Sequence, residues 1–194
     1  MTPAPADYEI LLRVSHLVRL FHTLDPSPFR ERDLDAEALD FILDWAKEAP
    51  RDVPFAIVVE LPESERSEAT PRILEEAIAN NFDYLADWAT RQLRELFREG
   101  RLALLIGIPI LAACLVGSQL VRHMAGPGTL AEVVGESLLI LGWVANWQPL
   151  EIFLYGWWPI LRRRALYRRL AAARVEVRWV SSESSSAAAS FLAV

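Results

Sequence analysis

The sequence predicts a membrane α-helical hairpin of two transmembrane helices, attached to a small α+β cytoplasmic domain that the N- and C-terminal segments form together. Residues 102–121 contain no charged side chain, and residues 133–150 contain only one, Glu136. Residues 53–61 form a nearly continuous apolar run rich in Val, Ile and Phe, which is typical of a strand covered on both faces. Two spans and one buried strand therefore define the predicted architecture.

The length of the first apolar stretch is that of a transmembrane helix, which needs about 20 residues to cross a bilayer core of about 30 Å. We expect a first transmembrane helix at residues 101–123 and a second at residues 130–150, joined by a short external Gly-Pro-Gly loop at residues 124–129. The alternative is a hairpin buried in a soluble core, but a chain of 194 residues has too little other apolar mass to cover it. Because the first stretch begins far from the N-terminus, we expect it to be an anchor and not a signal peptide.

The charge distribution predicts the sidedness of the hairpin. The first 100 residues carry a net charge of −10, whereas residues 101–194 carry nine arginines and five glutamates, a net charge of +4. Basic residues close to the ends of spans stay on the cytoplasmic side, and acidic residues contribute little to this preference. Arginines precede the first span and follow the second, whereas the only basic residues at the loop end of the hairpin are Arg122 and His123. We therefore expect a multi-pass protein with both termini in the cytoplasm.

Aromatic and basic side chains follow the second span. Trp and Tyr favour the headgroup level of a bilayer, and each basic residue near an anionic surface contributes about 1 kcal/mol. Residues 151–174 are therefore predicted to form a helical segment at the inner interface, with anionic lipid headgroups as partners. The alternative is that they only flank the span and stop translocation. The candidate headgroup contacts are Trp157, Trp158, Arg162, Arg163, Arg164, Arg168 and Arg169.

Residues 1–100 are predicted to form a cytoplasmic α+β domain that ends in a long helix. Strands are expected at residues 8–14 and 53–61, and a first helix at residues 35–49. Apolar residues recur at three- and four-residue spacing along this first helix, so they are expected to line one face. That face comprises Leu34, Ala38, Phe41, Ile42 and Trp45.

The long helix is expected to begin with Thr70 and Pro71, because proline is favoured in the first turn. Its apolar residues alternate at steps of four and three, and we expect this face to cover the sheet in preference to pairing with a partner helix. Residues 175–180 alternate in polarity and are too few to be stable alone, so they are predicted to add a third strand to the same sheet. Residues 181–194 are low in complexity and are predicted to form a disordered tail.

Polar side chains within the spans form a candidate intramembrane site. Glu132 and Glu136 are four residues apart and share one helix face, which in an antiparallel hairpin comes level with Ser118 and Arg122. Ionisable groups inside a membrane are rare and mark functional sites. An ion pair between Glu136 and Arg122, a proton or ion site, and a contact between protomers all remain open. The full candidate set is Gln119, Glu132, Glu136, Asn146 and Glu151.

No residue pattern identifies a reaction. The one cysteine, Cys114, lies in an apolar stretch that suppresses thiol reactivity. His16 and His22 are six residues apart, which is poor spacing for two metal ligands on a helix. The sequence also contains no glycine-rich phosphate loop and no nucleophile–base set. We therefore predict no catalytic residue, no cofactor and no metal, and expect the protein not to be an enzyme.

Three segments resemble a family of bacterial two-span membrane proteins of about this length. They are LFHTLDPSPFRERDLD (residues 20–35), VPFAIVVELP (residues 53–62) and GWVANWQPLEIFLYGWWPILRRR (residues 142–164). The resemblance covers most of the chain, and it implies the two-span architecture and a location in the bacterial inner (plasma) membrane. The family has no assigned activity, so the resemblance implies no catalytic residues.

These features predict a membrane-tethered interaction or scaffold module, or an accessory subunit of an inner-membrane complex. Its acidic domain is expected to bind another membrane or cytoplasmic protein. The alternative is a small homo-oligomeric channel or proton pathway lined by Glu132, Glu136 and Asn146. Nucleic acid is not an expected partner, because lipid headgroups explain arginines beside a span.

Overall fold

The structure is a computed structural model that is mostly helical and contains one small sheet. The chain divides into two compact units, the first comprising Met1–Asp87 with Arg164–Val194 and the second Trp88–Arg163. The predicted tail at residues 181–194 and Pro127 of the predicted loop lie outside the described residues. The structure describes residues 7–21, 34–50, 53–67, 70–126 and 128–180.

The sheet of the first unit has three strands in the order β1-β2-β3. Its register places Ile10 opposite Ile57, and Ile57 opposite Val175. The C-terminal strand therefore joins the sheet of the first two strands, as the sequence predicts. The strands are β1 (Tyr8–Arg13), β2 (Phe55–Pro62) and β3 (Arg174–Val180).

The strand pairing supplies the strand directions, which the predicted α+β fold class left open. An α+β domain usually contains an antiparallel sheet, whereas both strand pairs here are parallel. Parallel neighbours need a long crossover connection, and both connections between these strands contain helices. The helical connections thus permit parallel pairing, but the apolar pattern of the strands does not predict their direction.

The two faces of the sheet differ in polarity. Ile10, Ile57 and Val59 share one face and are fully buried. On the other face the Arg13 guanidinium donates from Nε to Oε2 of Glu60 across neighbouring strands, at 2.8 Å. The apolar face therefore packs against the core of the first unit. On the opposite face ion pairs lie around Ala56 and Val58, which are also buried, so the central strand is covered on both faces.

Helix α1 (Ala36–Glu48) begins at Asp35, whose carboxylate accepts the backbone N–H of Glu37 at 3.1 Å. Such a cap satisfies one of the four unpaired amides of the first turn. The structure buries Ile42 and Ala46 on this helix, whereas the expected buried face also included Phe41 and Trp45. Those two aromatic side chains are exposed. The buried face of α1 is therefore narrower than the row of apolar residues in its sequence.

Helix α2 (Thr70–Ala125) is a single helix of 56 residues that joins the predicted long cytoplasmic helix to the predicted first span. It starts at Thr70 with Pro71 in its first turn, as the sequence predicts. Among the described helices, only α2 is by itself long and apolar enough to cross a membrane, and 17% of its most apolar 18-residue window is buried. The predicted boundary between residues 100 and 101 is not a break in the helix.

The second apolar stretch forms a bent helical segment and not one straight helix. Helix α3 is followed after Asn146 by α4, and the directions before and after this break differ by 41°. Pro149 contributes to the bend, because it has no N–H for the carbonyl of Ala145. At 1.5 Å per residue α3 alone is about 25 Å long, somewhat short of a bilayer core. The elements are α3 (Thr129–Ala145), α4 (Trp147–Glu151), a π-helical turn (Ile152–Gly156) and α5 (Trp158–Ala171). Two 3-10 turns complete the described structure, Leu17–Leu20 and Glu63–Glu65.

Candidate functional site

Asn146 forms the central polar contact between α2 and α3. Its side chain is buried, and Nδ2 donates to the backbone carbonyl of Gly107 at 2.9 Å and to that of Gly142 at 3.0 Å. A Cβ on Gly107 would lie 2.7 Å from Oδ1 of Asn146, so only glycine permits this approach. The amide thereby holds α2 against the end of α3 in the second unit.

Glycines permit close contact along the whole length of this helix pair. A Cβ on Gly142 would lie 2.8 Å from Cδ1 of Leu111, and one on Gly135 would lie 2.9 Å from Nε of Arg122. Residues nearer the C-terminus of α2 therefore contact residues nearer the N-terminus of α3, so the two helices are antiparallel. Small residues at helix interfaces let the backbones approach closely, which favours van der Waals packing in lipid.

Glycine, cysteine or proline recurs every seven residues on both sides of this interface, and this repeat is its signal in the sequence. In α2 the repeat comprises Gly100, Gly107 and Cys114, and all three face the second apolar stretch. In the second stretch it comprises Gly135, Gly142, Pro149 and Gly156. Seven residues are close to two helical turns, so the α2 set lies on one face. In the bent second stretch, Gly135, Gly142 and Gly156 each lie close to side chains of α2. A search for three- or four-residue glycine spacing alone misses this pattern.

The glutamates of the predicted site lie on a different face from Asn146. Ala131 and Gly135 are the buried residues at this end of α3, whereas Glu132 and Glu136 are exposed. The five predicted site residues are therefore not brought together. Asn146 is between the helices, and the exposed members are Gln119, Glu132, Glu136 and Glu151.

Arg122 does not form the expected ion pair with Glu136. Its guanidinium lies across Gly135, where the missing side chain leaves room beside the α3 backbone. Ser118 contacts the same glycine, which confirms that these α2 residues are level with the glutamates. Within the described part of the chain, neither Glu132 nor Glu136 has a hydrogen bond or an ion pair.

The aromatic end of the second apolar stretch is ordered by short contacts within the second unit. Trp157 donates from Nε1 to the carbonyl of Phe153 at 2.9 Å, and its ring lies 5.6 Å from that of Trp158. The guanidinium of Arg162 lies 5.3 Å from the centre of the Trp158 ring, which is within range of a cation–π interaction. On the other side, Phe153 stacks on Phe97 of α2 with ring centres 6.0 Å apart.

The arginines predicted to contact lipid have different environments. Arg162, Arg163 and Arg168 are exposed, and Arg164 is half-buried. Arg169 is committed to the first unit, where its guanidinium donates to the carbonyls of Pro50 and Val53 at 2.9 and 2.7 Å.

The Arg169 guanidinium also lies 4.4 Å from the centre of the Phe55 ring. Its Nη2 binds the two carbonyls before β2, so this guanidinium contributes to the packing of the first unit, and its contact with a lipid headgroup stays a prediction. Sequence spacing could not separate Arg169 from Arg168, since both belong to the same basic run.

Comparison of the chain with protein-family models, with curated proteins and with solved structures gives no match. Within the described ranges, no group of three His, Cys, Asp or Glu side chains could hold a metal ion. Function must therefore be inferred from the contacts and exposed surfaces of this chain itself.

Proposed function

We propose that this chain is a two-span protein of the bacterial inner membrane that serves as a non-enzymatic, membrane-tethered interaction module or accessory subunit. One observation carries the proposal: large apolar side chains of α2 and α3 face outward. A soluble protein rarely exposes an apolar patch larger than a few hundred Å². Side chains that are at least 62% exposed include Leu105, Ile106, Val116, Ile140 and Val144.

The low burial of α2 supports a lipid environment over a soluble core. A core helix of the same composition is mostly covered by protein, whereas 17% of the most apolar window of α2 is buried. The segment from Thr129 through the bend at Asn146 serves as the second span, because its two parts together have the required length and composition. The buried amide of Asn146 has acceptors on both helices, so it fits an apolar surrounding.

The proposed orientation puts both termini in the cytoplasm and the loop between α2 and α3 outside. Exposed arginines at the end of the second stretch support this orientation, since basic residues beside a span stay inside. Trp158, with Arg162 over its ring, is suited to the level of anionic headgroups.

Site-directed labelling tests the orientation. In a Cys114→Ala background, we expect Gly128→Cys to react with a membrane-impermeant maleimide on intact spheroplasts. Glu63→Cys is expected to react only after permeabilisation. Labelling of position 63 in intact spheroplasts would overturn the orientation, and a monodisperse protein in the supernatant without detergent would overturn the membrane location.

A second candidate function is a homo-oligomer that forms a small channel or proton pathway. The unpaired carboxylates of Glu132 and Glu136 favour it, because a carboxylate in lipid is costly unless a neighbouring protomer covers it. A lumen at this face would contain both glutamates, whereas Asn146 contacts Gly107 within one protomer. A monomeric mass in mild detergent, or ion flux into liposomes that Glu136→Gln leaves unchanged, would exclude this candidate.

A further inference from the structure

We infer that one face of α1 binds a basic amphipathic helix of a partner protein. This inference deepens the proposed interaction function and rests on it, because it names the chemistry of the partner. We call this surface the acidic aromatic face. It comprises Glu37, Asp40, Phe41, Asp44, Trp45 and Glu48.

The aromatic pair at the centre of this face remains exposed in its own unit. Phe41 is 42% exposed and Trp45 is 45% exposed, and their ring centres are 5.9 Å apart. Ile42 and Ala46 already bury α1 against its unit. Two adjacent exposed aromatic rings are costly in water and are typical anchors of protein interfaces.

Carboxylates surround the aromatic pair. The four acids of the face follow one another at steps of three, four and four residues, so they are neighbours along the helix surface. Lys47 lies at the edge of this face, and its Nζ donates to Oδ1 of Asp44 at 2.7 Å. The hydrogen bond that Lys47 donates to Asp44, together with the charges of Asp44 and Asp40, raises the pKa of Lys47. The face therefore has an excess of negative charge around an apolar centre.

Charge complementarity indicates which kind of partner the acidic aromatic face binds. An anionic bilayer surface is repelled by four carboxylates, whereas the Lys and Arg side chains of a basic helix are attracted to them. Phe41 and Trp45 are one turn apart, and this spacing matches apolar anchors at i and i+4 of a partner helix. The arrangement thus fits a helix with one apolar stripe flanked by basic residues.

Peptide binding to the full-length protein tests the inference. The protein is reconstituted in nanodiscs of zwitterionic lipid, and an 18-residue fluorescent helix of Leu and Lys is titrated against it, with empty nanodiscs as the reference. We expect saturable binding that weakens with salt and at least a tenfold loss of affinity for Trp45→Ala. Trp45→Phe is expected to retain most of the affinity.

Matched variants separate this face from general surface effects. Leu11→Ala removes a side chain of equal exposure, 44%, and is expected to leave binding unchanged. Asp40→Asn with Asp44→Asn should weaken binding about tenfold, whereas Asp83→Asn with Asp87→Asn removes the same charge from α2 and should not. Circular dichroism of each variant verifies that it is folded.

Three results would overturn the inference: no binding above that of empty nanodiscs, equal affinity of the Trp45→Ala variant, or equal binding of a helix of Leu and Glu. A wild-type dimer that Trp45→Ala dissociates would also overturn it, because the occupant would then be a second copy. Maleimide labelling is independent of this face. Failure of the docking inference is therefore distinguishable from failure of the membrane proposal.

Discussion

The side-chain amide of Asn146 donates to the backbone carbonyl of Gly107 at 2.9 Å, between residues 39 positions apart in the sequence. Both residues lie beside a proline that interrupts helical hydrogen bonding, Pro109 in α2 and Pro149 in α4. The polar contact therefore joins the two helices within about one turn of each proline. This relationship is the basis of the first two predictions.

Replacement of Asn146 by Leu is expected to destabilise the second unit by about 1 kcal/mol, because it removes a buried hydrogen bond between two helices. Thermal unfolding of the detergent-solubilised protein, followed by circular dichroism, measures the change. Gln148→Leu is the matched control, since Gln148 is an exposed amide two residues away. Equal effects of the two substitutions would contradict a specific role of the Asn146 contact.

Gly142→Ala and Gly117→Ala are expected to have opposite effects. Both gain about 1 kcal/mol of helix propensity, but overpacking costs about 1–3 kcal/mol where no space is available. A Cβ at position 142 would lie 3.3 Å from the Leu111 backbone, whereas one at position 117 would be 3.5 Å from a flexible Leu138 methyl group. The Gly142 variant should therefore unfold at a lower temperature than the Gly117 variant, and the reverse order would refute the packing seen here.

Arg169→Met is expected to destabilise the first unit by about 1–3 kcal/mol, because the carbonyls of Pro50 and Val53 lose a charged donor. Arg168→Met changes the same charge at an exposed neighbouring position and should have little effect. Hydrogen exchange of the β2 amides in the full-length protein measures the difference. Similar exchange rates in the two variants would show that Arg169 contributes nothing beyond its charge.

The contact between Glu65 and His16 predicts that the stability of the first unit depends on pH. His16 donates from Nδ1 to the Glu65 carboxylate at 3.1 Å, and this hydrogen bond lowers the pKa of Glu65, with a smaller contribution from the backbone N–H of Leu17. Since the pKa is lowered in the folded state, the contact contributes to stability above the unfolded value of about 4.3. That contribution is lost as the pH falls through the folded pKa.

Carboxyl NMR titration of the full-length protein tests this dependence. His16→Ala should raise the pKa of Glu65 toward its ordinary value. Unfolding measurements should also separate wild type from Glu65→Gln at pH 6 and bring them together at acidic pH. A Glu65 pKa that His16→Ala leaves in place would assign the shift to another cause.

Local signals in the sequence account for much of the described secondary structure. Asp35 caps α1 and Thr70 starts α2 where the sequence predicts, because capping and first-turn preferences act within a few residues. The bend near Pro149 follows from the missing N–H of proline for the same reason. The exposure of Phe41 and Trp45 was not predictable from spacing, since their apolar stripe is continuous with that of Ile42.

The residues of the candidate site were predictable from the sequence, but their arrangement was not. The sequence identifies Asn146, Glu132 and Glu136 as unusual polar residues in an apolar stretch, but their separation onto two faces depends on how α3 rotates against α2. The partner of Arg122 likewise depends on the space left at Gly135, which no local pattern reports.

The apolar stretches, the strands and most helix starts could be located from the amino-acid sequence alone, since they depend on side-chain periodicity and on backbone preferences of neighbouring residues. The parallel pairing of the strands, the binding of Arg169 by Pro50 and Val53 and the contact of Asn146 with Gly107 are visible only in the folded chain. These outcomes depend on which surfaces meet across long separations in the sequence. Such meetings are governed by packing volume and hydrogen-bond geometry, which a linear pattern does not contain.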